Sequence, residues 1–281
     1  MANQIHSAAT EVASLVPEVW SARFQELNRA QLPFISSVSR DWEGEIQDLG
    51  DIVNINDIPD FSEANTLAEG AAGDAEAVTA SATQLVINQR PYKDFIVTKK
   101  AQLQSIPFMD ALRERAVYSI NKKMQSIIID AISPSASTPD HSIAYDSGTT
   151  LALADVLEAK ELLMGSDVPQ DGSLCMVLSE AQYVDLFNIT GVTSKDFVPA
   201  GSPLASGDFD LPFVGFNIKF TSVANNVAYL FHPSFLTMAI QQDLNIELAS
   251  LGSDGVRGMR LNVDALMGVV QLDNKRVVTI S

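Results

Sequence analysis

Residues 41–80 read DWEGEIQDLGDIVNINDIPDFSEANTLAEGAAGDAEAVTA, a stretch with eleven carboxylates and neither lysine nor arginine. Within it, 51–58 set Val53 and Ile55 against Ile52, Asn54, Asn56 and Ile58, the two-residue period of a strand with one better-buried face. Residues 60–82 are rich in Ala, Gly and Glu and poor in large apolar groups, so burial within their own chain cannot repay the entropy of ordering them. A second strand is read over 84–104, from Leu85, Val86, Ile87, Tyr92, Phe95, Ile96 and Val97. The pattern predicts a long two-stranded hairpin with an acidic tip. Isolated hairpins are marginal in water, so this one has to lean on another surface.

The bases come next. Arg90, Lys93, Lys99, Lys100, Arg113, Arg115, Lys122 and Lys123 follow, against only Asp94, Asp110 and Glu114. An acidic arm beside a basic body suits a protein that meets copies of itself, because arm and body of neighbours attract while arm and arm repel. The simpler reading of the acidic run is a solvated loop. The bases at 113–123 lie on the strongest helix in the sequence, 107–132, opened by Ser105 and Pro107. Phe108, Leu112, Ala116, Ile120, Met124, Ile128 and Ile132 recur every fourth residue, and Pro134 closes the run. About 26 residues at 1.5 Å each make it roughly 39 Å long.

Upstream, 1–45 read as an extended arm with one short amphipathic helix, in which Val16, Val19, Trp20, Phe24 and Leu27 follow Pro17 at helical spacing. Such a helix cannot bury its face alone. Downstream, 133–149 form a Ser/Pro/Asp-rich link, and Leu151, Val156, Leu157, Leu162 and Leu163 a second helix that Gly165 ends. From Ser173 the pattern alternates strand and helix. Leu174 to Leu178 is a short buried strand, and Ser179 with Gln182 forms a capping box for the helix that follows. A Gly/Pro/Ser-rich loop covers 191–207. Strands are expected at 213–220, 227–231, 236–241, 257–263, 265–272 and 276–280.

Composition narrows the function. Of 281 residues, 46% are hydrophobic and 19% charged, which describes a folded chain of one large or two modest domains. A formal net charge of -17 argues against a protein whose main task is gripping nucleic acid or a membrane surface. No apolar run approaches the roughly 20 residues that span a bilayer, and 1–13 lack the features of a signal peptide, so a soluble intracellular protein is expected. The lone Cys175 excludes an internal disulfide and a thiolate zinc site, and reads as a buried inert thiol.

Catalytic patterns are thin. Asp146-Ser147-Gly148 matches the aspartic-protease string, whose chemistry needs two such aspartates sharing a proton. No second Asp-Ser/Thr-Gly occurs, and Thr149 or Thr150 reads as the cap of the following helix. His6, His141 and His232 lie in three separate segments, a poor start for a metal site or triad. Gly252, Gly255 and Gly258 beside Arg257 and Arg260 suggest a phosphate cradle but lack strand-to-helix context, which favours a flexible turn. Asn188-Ile189-Thr190 is a glycosylation string without a secretory route, and the acidic run lacks EF-hand spacing. No cofactor, metal or catalytic residue is expected, and an aspartic-type hydrolase using Asp146 is the least favoured reading.

Six stretches, taken in order, resemble the tailed-bacteriophage major capsid proteins, whose α+β fold is of the Hong Kong 97 type. They are Pro17-Glu18-Val19-Trp20; Gly50-Asp51-Ile52-Val53-Asn54-Ile55; the helix after Ile106-Pro107; 176–183; Val214-Gly215-Phe216-Asn217-Ile218; and Lys275 to Ile280. The resemblance spans nearly the whole chain. It implies an N-terminal arm (1–45), an extended hairpin called the E-loop (46–104), a peripheral domain on the long helix (105–145 and 251–281) and an axial domain (146–250). It also implies pentamers and hexamers of the chain itself, closing an icosahedral shell around packaged double-stranded DNA. Assembly would take place in the host cytoplasm, with a separate or already removed scaffolding protein, a portal and possibly decoration proteins as partners, and no membrane. The E-loop would lie over a neighbour's peripheral domain and bring Asp51, Asp57, Asp60, Glu63, Glu69, Asp74 and Glu76 toward Arg113, Arg115, Lys122 and Lys123. Each exposed ion pair is worth only about 0–1 kcal/mol, but identical interfaces repeat around a closed shell. Trp20, Phe24, Phe34 and Trp42 of the arm would pack on neighbouring chains, or else form plain core. Since 41–80 hold no lysine, a lysine weld from the hairpin tip is excluded. An encapsulin-like nanocompartment shell is the alternative on the same fold.

Overall fold

The computed structural model describes residues 32–45, 50–58, 61, 63–67, 69–70, 72–73, 75–100, 109–146, 148, 150–189, 212–222, 224, 226–250 and 258–281. The expected arm helix with Trp20 and Phe24, and the loop at 191–207, lie outside these residues. The described chain begins with one helical turn, α1 (Phe34–Ser37), after Pro33, whose carbonyl accepts from Ser36 Oγ at 3.0 Å and Ser37 Oγ at 2.7 Å. Phe34 is wholly buried, with its ring 5.4 Å from that of Tyr229 and 5.7 Å from that of Phe231. Of the two readings, packing on a neighbour or plain core, Phe34 is core, because its own chain supplies the aromatic pocket. Trp42 is half-buried against the base of the hairpin, also within the chain.

Strands β1 (Ile52–Asp57) and β2 (Ser81–Val86) form the hairpin, antiparallel from Ile52↔Val86 to Asp57↔Ser81. As the alternation required, Val53 and Ile55 are buried while Ile52 is exposed. The second strand is not continuous as expected. It leaves the hairpin after Val86 and enters a different sheet as β3 (Tyr92–Thr98). Pro91, without an N–H to give a ladder, marks the change.

Helix α2 (Met109–Asp130) presents Ala116, Ile120, Met124 and Ile128 to the interior, in agreement with the four-residue spacing. After the two-residue strand β4 (Ser142–Ile143) comes α3 (Leu153–Gly165). Its cap is not Thr149 or Thr150. The N-cap is Ala152, whose N–H donates to Asp155 Oδ2 at 2.8 Å, and the other oxygen of this buried carboxylate accepts from Asp146 N at 3.0 Å. Asp155, at the third helical position, thus satisfies the N–H of the cap residue itself and that of Asp146, not the N–H groups of the first turn that a Thr cap would have taken. Strand β5 (Cys175–Leu178) leads into α4 (Glu180–Leu186), where Gln182 Oε1 accepts from Ser179 N at 3.2 Å as the box required. Strands β6 (Asn217–Phe220), β7 (Ala228–Phe231), β8 (Leu236–Ser250), β9 (Gly258–Gln271) and β10 (Val277–Ile280) complete the chain.

The strands outside the hairpin form two sheets, ordered β4-β10-β7-β5-β6 and β3-β9-β8. Two expected strands, 257–263 and 265–272, are one. The apparent break at Asp264 is bridged because Arg90 Nε and one terminal nitrogen donate to its buried carboxylate at 2.9 and 2.5 Å. The partition of the chain also differs from 105–145 plus 251–281 against 146–250. Residues 236–250 pair with β9, and the closing strand β10 pairs with β7 and β4 in the five-stranded sheet. Pairing partners, which alternation alone cannot name, decide this.

One core joins the two sheets. Alternate residues of the five-stranded sheet, Val177, Tyr229, Phe231 and Val277, meet Met238, Leu261, Val263 and Met267 of the three-stranded sheet beneath α2. On the other face of the five-stranded sheet, Met176, Leu178, Leu230 and Ile280 pack against Val156, Ala159 and Leu163 of α3 and Leu186 of α4. A third cluster sets Val53, Ile55, Leu85 and Ile87 of the hairpin base on Ala239, Leu266 and Val270 of β8 and β9. Gly268 permits that approach, since a Cβ there would lie 2.5 Å from the carbonyl oxygen of Val86.

Replacing Phe34 by alanine removes a fully buried ring between two others, and is expected to cost about 3–5 kcal/mol. Thermal or denaturant unfolding of the unassembled subunit measures it. A loss below about 1 kcal/mol contradicts the packing described.

Candidate functional site: a projecting acidic hairpin and a basic body

The hairpin is anchored at its root. Ile87 N donates to Asp51 O at 2.8 Å, Gln241 Nε2 to Gly50 O at 2.9 Å, and Gln84 Nε2 to Asn54 Oδ1 at 3.0 Å across the strands. Strand pairing stops at Asp57 and Ser81. Of the 58–80 tip that follows, the described residues are exposed, including Ile58, Phe61, Leu67 and Val78 at 60–63%.

Asp51, Asp57, Glu63, Glu69 and Glu76 are exposed on this arm, whereas Asp60 and Asp74 lie outside the described residues. The body's ion pairs hold Arg40 to Glu43 at 2.6 Å, Arg90 to Asp264, Arg260 to Asp94, and Arg276 to Asp273 at 2.9 Å. None of them engages Glu63 or Glu69. On α2, Arg115, Lys122 and Lys123 are exposed, and among the described residues they make no ion pair. Arg113 is different. At 100° per residue it falls on the core-facing side with Ala116, Ile120 and Met124, and it is half-buried, so it leaves the outer basic face to the other three. Lys93, Lys99 and Lys100 of β3 and its C-terminal end are exposed too, and extend the basic surface.

The sequence's other candidates fall apart in space or are satisfied. His141 is buried between Pro139 O and Ser166 Oγ, each 3.1 Å from a ring nitrogen. His232 Nδ1 lies 2.7 Å from Ser234 Oγ, and Nε2 is 3.5 Å from Asp171. His6, Gly252, Gly255, Arg257 and Thr190 lie outside the described residues. Gly258 belongs to β9, where a Cβ would collide with the Val97 carbonyl, so close strand packing explains it. An open cleft of about 1290 Å³ separates the hairpin base from α3, between Trp42, Ile55, Asp57, Glu158, Glu161 and Arg276. Asp146 is not part of its walls. Among the described residues no three potential metal ligands cluster. No described helix is long and apolar enough to cross a membrane.

Perturbed side chains follow local structure. Burial pushes the Cys175 thiol up, against the opposing pull of Lys219, and burial followed by Asp130 raises Tyr229. Desolvation lowers Lys160, which reaches Gln170 and lies 4.9 Å from the Phe216 ring centre. The Ser173 hydroxyl and then its N–H, donating at 2.6 and 2.9 Å, hold Asp171 at about 2.

The described residues form a mixed α and β body with a hairpin whose outer part is exposed. The family model for phage capsid proteins matches residues 41–281, and the chain belongs to that family. Among solved structures, it resembles that of Mycobacterium phage Che8 with a TM-score of 0.75 and 21% identity, covering 95% of this chain and 97% of that one. The capsid of cyanophage Pam1 gives 0.72 and 16% over 100% and 98%. The mature capsid of bacteriophage PhiM1 gives 0.70 and 14% over 95% and 91%. The fold is thus the Hong Kong 97 type of the phage capsid proteins. No curated protein sequence matches significantly.

Asp171 tests the local geometry. Its folded value is depressed, so any contribution to stability is complete above the unfolded carboxylate range near pH 3.9 and is lost as pH falls through about 2. Ser173→Ala removes the larger cause, and NMR titration of the Asp171 carboxyl should show it return toward the usual range.

Proposed function

We propose that this chain is the major capsid subunit of a tailed phage, working by repeated self-contact and without catalytic residues. The observation that carries this reading is the hairpin, whose pairing ends at Asp57 and Ser81 while carboxylates and large apolar groups continue into solvent. Such an element is complete only on another surface. The family match and the capsid structures among its relatives support the reading that this surface is another copy. In this reading pentamers and hexamers close an icosahedral virion shell around double-stranded DNA. The acidic E-loop tip, Asp51 through Glu76, lies over the neighbour's peripheral layer near Arg115, Lys122 and Lys123. Trp20 and Phe24 of the arm add contacts between subunits. A separate scaffolding protein, a portal and decoration proteins complete the particle, which assembles in the host cytoplasm. The encapsulin-like and hydrolase readings have no observation in their favour, since the family matched is that of phage capsids and Asp146 lies outside the cleft.

Light scattering and electron microscopy of the purified subunit, alone and with a scaffolding partner, test the reading. Closed shells are expected, and a species that never exceeds a few subunits under any condition overturns it. Changing Asp57, Asp60, Glu63 and Asp74 together to lysine should leave the subunit folded but impair assembly, most at low salt where charges are least screened. Normal particles from that variant would refute the electrostatic role.

A further inference from the structure

The open cleft of about 1290 Å³ between the hairpin base and α3 has no part in the shell reading. Its volume exceeds the roughly 300–1,000 Å³ of sites that hold small molecules, and suits a peptide segment. One wall is the side of the hairpin that turns toward the body, where Asp57 follows Ile55 on the same face. The opposite wall is the outer side of α3, where Glu158, Glu161 and Leu162 recur at helical spacing. Half-buried Trp42 and Leu272 add apolar surface.

Charge selects the occupant. The walls hold the carboxylates of Asp41, Asp57, Glu158, Glu161, Asp167 and Asp273 against the bases Lys275 and Arg276. Arg276 is already held by Asp273 at 2.9 Å. Asp57, Glu158, Glu161 and Asp167 are exposed, and among the described residues they make no ion pair. Such walls repel the phosphates of a nucleic acid or a lipid surface. A second copy is a poor match too. Each copy carries 35 acidic against 18 basic residues, and the shell reading sets the free bases of α2 near the hairpin tip. The chemistry that fits is a segment of another protein, with lysine or arginine beside a large apolar side chain.

We propose that the cleft docks a basic segment of a different protein, with its lysines or arginines on Asp57, Glu158, Glu161 and Asp167 and an apolar side chain against Trp42 and Leu272. The inference goes beyond the shell reading, because a free subunit already carries the whole site. An occupant that touches both walls ties the hairpin root to α3 and fixes the angle at which the hairpin leaves the body.

Fluorescence anisotropy of a labelled peptide of alternating lysine and leucine, titrated with free wild-type subunit at low salt, tests the cleft. Saturable binding is expected, weakened about tenfold or more by Glu158→Gln with Glu161→Gln. The same loss of charge elsewhere on the body, Glu180→Gln with Glu247→Gln, should change it by less than about twofold. Equal weakening by both pairs, or no saturable binding to the wild type, overturns the proposal. Should the Glu158→Gln, Glu161→Gln variant fail to fold, carbodiimide labelling of the wild type decides. The peptide should protect Glu158 and Glu161 but not Glu180, and labelling that the peptide leaves unchanged overturns the docking. In particles made of this chain alone, Glu158 and Glu161 should label as readily as in free subunits. Protection there means that a second copy fills the cleft, which overturns the proposal and leaves the shell reading standing. A chain that forms no particles removes the shell reading, and the peptide titration then decides the cleft by itself.

Discussion

Everything in this subunit depends on a single apolar layer shared by two sheets. Helix α2 lays Ala116, Ile120, Met124 and Ile128 across residues of both, and Phe34 closes one end between Tyr229 and Phe231. Without that layer each sheet would be covered on one face only, the five-stranded by α3 and α4 and the three-stranded, in part, by the hairpin base. Two of the places where the chain crosses between sheets, 232–235 and 272–276, are tied together. Arg276 donates to Ser234 Oγ at 2.7 Å and to Asp273 at 2.9 Å, and His232 N donates to Arg276 O at 3.1 Å. The sheets thus form one body, and the hairpin projects from it as a ribbon rooted on β8 and β9.

A body this well satisfied leaves its unfinished parts easy to see. The hairpin keeps its backbone pairing for six residues a side and then continues with apolar groups in water. Strand β3 keeps one side of its backbone paired, and among the described residues no strand pairs with the other. Both features are liabilities in a protein that stays alone, because exposed edges and apolar ribbons invite association. In a subunit that assembles with its own copies, such features have surfaces available to cover them. Weak ion pairs of about 0–1 kcal/mol suit this use, since each contact can form and correct itself while the sum over a closed shell remains large.

Much of the fold was legible in the residues. The four-residue repeat of α2, the Ser179–Gln182 box and the alternation around Val53 and Ile55 each report a local preference, and each appears where local reasoning put it. Errors arose wherever a distant residue changed the local rule. Asp264 looked like a strand break until Arg90 paired with it, and Arg113 looked like surface charge although helical phase turns it toward the core. The cap of α3 was assigned to a threonine because capping is first sought at the cap residue itself. The cap is instead Ala152, whose own N–H is held by Asp155 three residues on.

By itself the sequence determined that a long acidic hairpin would precede a long amphipathic helix, because charge, alternation and helical period are carried by neighbouring residues. Tertiary structure alone decided that the second hairpin strand splits at Pro91, that β10 returns to the five-stranded sheet, and that β3 stands at an edge of its sheet among the described residues. The physical reason is that strand pairing is a contract between segments far apart in the chain. Alternation says which face of a strand is buried, but not which strand stands beside it or which side is left empty.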